Sequence, residues 1–281
     1  METILESIAL RGQEAVLLGL KQITKSADVK VVKDIPYGEL ARQHLDLYIP
    51  TTQKPRYTLM FIHGGGWRTG HKDMYGFLGH ALAKRGIATM VINYRLYPEA
   101  SYPEFVNDAA LALGWLETSG AYYGLSQAPL FLMGHSAGAH IAMLSTMDES
   151  FSQQFGYSAD RIKGIISMAG VYSFRPEKSE LYQKIFPIQH SGENYADTKP
   201  LNFVADNGVP IYILHGRQDK TVACRSAERM YKNALLANHP VFIDVRENYG
   251  HTELLFEFVD YWPKHKAHMT KLDAFMRDCC L

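Results

Sequence analysis

From residue 58 onward the chain sets short, nearly continuous apolar runs against longer segments of helical periodicity. The runs are Thr58 to Ile62, Ile87 to Ile92, Leu130 to Met133, Gly164 to Met168, Ile211 to Leu214 and Val241 to Val245. A strand apolar on both faces is covered on both sides, and the intervening segments are long enough for crossover helices. The pattern therefore predicts an α/β fold with an open, mostly parallel central sheet flanked by helices. Ahead of it, Val29 to Val32 and the alternating His44 to Ile49 lie on either side of Pro36-Tyr37-Gly38 and predict an antiparallel pair. Ile4, Leu5, Ile8, Val16, Leu17 and Leu20 fall at helical spacing, which predicts an amphipathic helix within residues 1–25. Between the fourth and fifth runs, residues 172–208 carry Pro176, Pro187 and Pro200 among scattered charges. That stretch is too long for an unstructured connection in a compact domain and is expected to be a small helical cap insertion. No repeat or Gly/Ser-rich linker divides the chain, so residues 1–281 are expected to form one domain.

Composition narrows the classes. With 47% hydrophobic and 21% charged residues the chain can build a sizeable core and is neither a disordered nor a fibrous protein. Lys plus Arg and Asp plus Glu both number 29, and the resulting zero net charge argues against nucleic acid as a partner. Cys224, Cys279 and Cys280 form neither a disulfide framework nor a CxxC metal motif, as suits a reducing compartment. No apolar stretch approaches the ~20 residues of a membrane helix. Glu2, Glu6 and Glu14 stand where a signal peptide has a basic start and an apolar run, and Asp278 occupies the place of a prenylated Cys. A cytoplasmic protein with neither a membrane nor a nucleic acid partner is expected.

The chemistry lies at strand ends. The apolar run LFLM leads into Gly134-His135-Ser136-Ala137-Gly138 and then a helical pattern, which puts GxSxG at a strand-to-helix turn and exposes the serine hydroxyl at a helix N-terminus. That hydroxyl is a weak nucleophile unless an imidazole takes its proton, and the imidazole needs a carboxylate to fix its tautomer. In this context the chain order is Ser, then Asp or Glu, then His. Asp219 follows the IYIL run directly; Asp244 lies inside a strand, Asp206 reads as a turn residue, and Glu247 is the nearest substitute. Of the histidines after Asp219, His251 sits just beyond the last run, His239 before it, and His265 and His268 on a terminal helix, so His251 is the expected base. Directly after the first run, His63-Gly64-Gly65-Gly66-Trp67 offers backbone amides to a developing oxyanion. Trp67, Tyr172 and Phe174, near strand ends, are candidate pocket residues. His135 with His140, and His265 with His268, lack an obvious third ligand, so no metal site is expected.

These motifs, with Asn93-Tyr94-Arg95-Leu96-Tyr97-Pro98-Glu99, resemble the α/β hydrolase superfamily, close to the hormone-sensitive-lipase-like carboxylesterases and the arylformamidase and feruloyl esterase relatives. The resemblance spans residues 58–255. It implies Ser136 as nucleophile, His251 as general base and Asp219 as its orienting acid, with the amides of Gly65, Gly66 and Ala137 holding the oxyanion. It also implies that Tyr94, Arg95 and Glu99 support the oxyanion loop and that His63 organises the glycine turn. Only residues 1–25 and 172–208 are available as a cap, smaller than in the lipase-like group, and Trp67 leans towards the formamidase and feruloyl esterase side. The expected activity is hydrolysis of soluble, small-molecule short to medium acyl esters through an acyl enzyme, without an organic cofactor. An arylformamide hydrolase is the alternative, and a ligand receptor on the same scaffold is the reading from another class.

Overall fold

Among the described residues, eight strands form one sheet. A computed structural model describes residues 26–125, 128–206, 208–260, 262 and 265–281; the helix expected within residues 1–25 lies outside them. The strands are β1 (Val29–Pro36), β2 (His44–Pro50), β3 (Tyr57–Ile62), β4 (Ile87–Ile92), β5 (Leu130–His135), β6 (Ile162–Met168), β7 (Ile211–Gly216) and β8 (Val241–Arg246), in the sheet order β1-β2-β4-β3-β5-β6-β7-β8. β1 pairs antiparallel with β2 and β2 with β4; every other pairing is parallel. The helices are α1 (Gly76–Ala83), α2 (Glu104–Ser119), α3 (Ala137–Met147), α4 (Glu149–Phe155), α5 (Glu180–Ile185), α6 (Arg225–Leu236), α7 (Glu253–Phe256) and α8 (His265–Asp278). None of the helices among the described residues is long and apolar enough to cross a membrane.

The continuous apolar runs have a simple cause. Successive strand residues face opposite sides, so a strand covered on both sides needs apolar residues at every position. Met60, Ile62, Leu132 and Ile213 join one core with α2 and α3, while Leu59, Phe61, Met133 and Leu214 join a second core with α1 and α8. Truncating one of these side chains, for example Leu132→Ala, costs about 2–5 kcal/mol. Two strands run further than their apolar letters: β5 ends on Gly134-His135 and β7 on His215-Gly216, all four fully or largely buried. The sheet keeps its pairing there because the histidines find hydrogen-bond partners inside the protein, described below.

This topology places the site. β3 and β5 are neighbours, yet β3 is followed by α1 on one face and β5 by α3 on the other. Such a divergence leaves a crevice at the carboxyl ends of the two strands, where ligands bind in open α/β sheets. Residues 172–208 connect β6 to β7 through α5 and short 3-10 turns, including Pro176–Lys178, Ile188–His190 and Pro200–Phe203. The insertion is tied down by Tyr102, whose amide donates to the Ile185 carbonyl at 2.8 Å and whose hydroxyl donates to the Asp197 carbonyl at 2.9 Å.

Candidate active site

The end of β5 turns sharply into α3. Ser136, at the turn, has φ 55° and ψ −119°, a left-handed conformation rare for a residue with a side chain. The tightness explains the glycine two residues on: a Cβ on Gly138 would sit 2.0 Å from the Ile62 carbonyl oxygen. Ala137 is the first residue of α3, where backbone amides have no intrahelical acceptor.

The loop after β3 faces this turn. Gly65, Gly66 and Trp67 all have positive φ, at 121°, 60° and 59°. At Gly65 a side chain is impossible without movement, since a Cβ would fall 2.1 Å from the Thr69 carbonyl oxygen. Neither Gly65 nor Gly66 spends its amide on a protein acceptor among the described residues. His63 Nδ1 donates to the Gly64 carbonyl at 2.7 Å, and the Tyr94 hydroxyl donates to the His63 carbonyl at 3.0 Å. Arg42 adds a brace that the sequence did not suggest, donating from Nε to the Tyr94 carbonyl and from Nη2 to the Gly70 carbonyl. The Tyr97 amide donates to the Trp67 carbonyl at 2.8 Å, whereas Arg95 forms a bidentate pair with Asp108. Within the Asn93 to Glu99 segment, then, Tyr94 and Tyr97 hold the glycine loop directly, and Arg95 anchors the segment to α2.

Asp219 and His251 meet. His251 Nδ1 donates to Asp219 Oδ2 at 2.7 Å. The other carboxylate oxygen accepts the amides of Thr221 and Val222, each at 2.8 Å. Burial by itself raises the Asp219 pKa, yet hydrogen bonds from His215 and His251, the nearby imidazole charge and the Val222 amide hold it well below the usual carboxylate range. His215 is a second residue the sequence reading passed over: its Nε2 donates to the Val222 carbonyl at 2.8 Å and lies 3.3 Å from Asp219 Oδ2. The available signal was its place at the end of β7, four residues before Asp219. The alternative acids have other partners. Glu247 is 70% exposed beside Arg217, and Asp244 is engaged by Tyr212, Arg246 and Lys271.

His135, His140 and His63 are fully buried and serve as rigid donors to backbone. His135 Nε2 donates to the His251 carbonyl at 2.9 Å and so fixes the loop that carries His251. His140 Nε2 donates to the Thr198 carbonyl at 2.8 Å, tying α3 to the insertion. Burial disfavours their charged forms, taking His63 and His135 down to about 3 and His140 to about 4, so all three are neutral at pH 7.

One cavity of about 250 Å³ joins these parts: Gly65, Gly66, Ser136, Ala137 and His251 all line it. A second, of about 500 Å³, adjoins it and shares Trp67, Val171, Tyr182, Thr221 and Val222 with it. Trp67 lines both and Phe174 lines the second, the two rings stacked at 5.8 Å. Tyr172 corrects the sequence expectation. It is fully buried, with its hydroxyl 2.7 Å from Ser167 Oγ, and lines neither cavity. Its neighbours Val171, Ser173 and Phe174 line the second cavity instead, while the Tyr172 ring is turned into the core towards Ser167.

The sequence signature of the BD-FAE family matches residues 45–234, more than half of the chain. The chain belongs to the BD-FAE family. Its fold is that of the α/β hydrolases: the apo form of Thermogutta terrifontis esterase 2 superposes with a TM-score of 0.74 at 20% identity, over 90% of this chain and 96% of that one. Among curated proteins, this BD-FAE member is 32% identical over 218 residues to the probable isoprenylcysteine alpha-carbonyl methylesterase ICME of Oryza sativa subsp. japonica, 71% of this chain and 52% of the rice protein. It is 28% identical over 239 residues to the kynurenine formamidase of Danio rerio, 82% of this chain and 78% of the fish protein. The chain thus spans about half the length of the plant methylesterases it matches.

Proposed function

We propose that the protein is a serine carboxylic ester hydrolase. The observation that carries this reading is the 2.7 Å hydrogen bond from His251 Nδ1 to Asp219 Oδ2, on an imidazole that lines the same cavity as Ser136. With Nδ1 committed to the carboxylate, Nε2 takes the proton of the Ser136 hydroxyl as its oxygen attacks the ester carbonyl. The amides of Gly65, Gly66 and Ala137 stabilise the oxyanion, a role in which one donor is worth about 10²–10³ in kcat. His251 then gives its proton to the leaving alcohol, and water, activated by the same imidazole, releases the acid from Ser136. The chain acts as a single hydrolase domain with residues 172–208 as its cap, and the modest cavity volumes favour short to medium acyl groups.

Formamide hydrolysis is the second reading. It is favoured by the kynurenine formamidase match, which covers more of its relative's length than the methylesterase match does, and by the same acyl-enzyme chemistry. Measuring kcat/KM on p-nitrophenyl acetate and on an N-formyl aryl amine separates the two. The ester reading expects preference for the ester and a burst of p-nitrophenol; a strong preference for the formamide would replace it.

A further inference from the structure

Resting on the ester-hydrolase reading, we propose that the substrate carries a carboxylate at its non-reacting end and that Arg225 and Arg229, on the wall of the second cavity, bind it. The two arginines lie four residues apart on α6, hence on one helix face, and both line that cavity. Both are exposed, and neither has a carboxylate partner among the described residues. Arg85, Arg95, Arg161 and Arg217, by contrast, are each paired with an acid. Glu228, between the two in sequence, is drawn away to Arg217.

The charge around the site is one-sided. Arg68 and Lys220 line the first cavity and Arg225 and Arg229 the second, while among the described residues no Asp or Glu lines either. In a chain with equal numbers of acids and bases, Lys220, Arg225 and Arg229 together give these two cavities a positive character. The shared lining of the cavities lets one molecule reach from Ser136 to the arginines. Trp67 lines both cavities and Phe174 the second, and they give the shared space an apolar side. The complementary ligand is an aromatic or short apolar body with an anionic end, the carboxylate accepting from a guanidinium fork.

The test compares two isosteric ligands, 3-phenylpropanoate and 3-phenylpropanamide, titrated calorimetrically into the wild-type protein, R225Q/R229Q and R225K/R229K. The wild type should bind the carboxylate about tenfold more tightly than the amide, and raising salt to about 0.5 M should shrink that preference. The glutamine variant should lose it and the lysine variant should keep part of it. Equal binding of the two ligands, binding of neither, or a preference that survives R225Q/R229Q would overturn the proposal. Turnover of p-nitrophenyl acetate by the wild type, measured alongside, reports the ester-hydrolase reading separately: its absence with the anion preference intact would sink that reading and leave the anion site standing.

Discussion

The floor of the site and its wall are built by different means. The floor is made of strand ends, where Ser136, Asp219, His251 and the glycine loop are held by buried donors with assigned acceptors: His63 on Gly64, His135 on His251, His215 on Val222. The wall is made of the insertion and α6, where aromatic rings pack around Trp67 and arginines stand in solvent. Buried polar groups admit few alternatives, since each lost partner leaves a donor or acceptor stranded. A solvent-exposed wall residue such as Arg225 or Arg229 can change at small cost to the fold. Substitutions on the floor should therefore lower turnover for every substrate, and those on the wall should reorder substrates.

The largest expected effect is at Ser136. Ser136→Ala should lower kcat by roughly 10⁵–10⁶ on any ester while the protein still folds, as checked by circular dichroism and single-turnover assays. Asp219→Asn should cost on the order of 10⁴, through the wrong imidazole tautomer, whereas Glu247→Gln, on an exposed carboxylate, should stay within about twofold. If the two results were exchanged, the acid would be Glu247.

Much of the floor was legible in the letters because geometry demands particular residues there. Gly65 and Gly138 mark backbone approaches that no side chain survives, and the continuous apolar runs mark strands covered on both faces. The place of Asp219 and His251 just after strands was readable, and the two side chains meet there at 2.7 Å. What escaped was long-range pairing. Nothing local to Arg42 announces that it bridges the Tyr94 and Gly70 carbonyls, and nothing local to His215 beyond its strand end announces its contact with Asp219. On the wall, proximity of Tyr172 to a strand end does not reveal that its ring turns into the core towards Ser167.

The floor's buried histidines also sharpen the contrast through stability. His63, His135 and His140 hold pKa values of about 3, 3 and 4 when folded, against 6.5 for the free side chain. Between these limits the unfolded chain binds more protons than the folded one, so stability is full above pH 6.5 and lost as pH falls towards 4. Each histidine contributes a loss of up to about tenfold in the folding equilibrium per pH unit, roughly 10³ for the three together. A melting temperature that declines steeply below pH 6.5 is expected; one unchanged between pH 7 and 4.5 would show that these groups are not held neutral. The wall's expected effect is smaller than the floor's. Phe174→Ala should shift the ratio of kcat/KM for long over short acyl esters by about tenfold or less and leave kcat on p-nitrophenyl acetate nearly intact.

The most direct measurement is covalent labelling of the native protein with a fluorophosphonate, followed by intact-mass analysis and peptide mapping. One adduct per chain is expected, on Ser136, forming in step with loss of esterase activity and abolished in Asp219→Asn at the same exposure. An adduct on another residue, or full activity surviving complete modification of Ser136, would rule out Ser136 as the nucleophile.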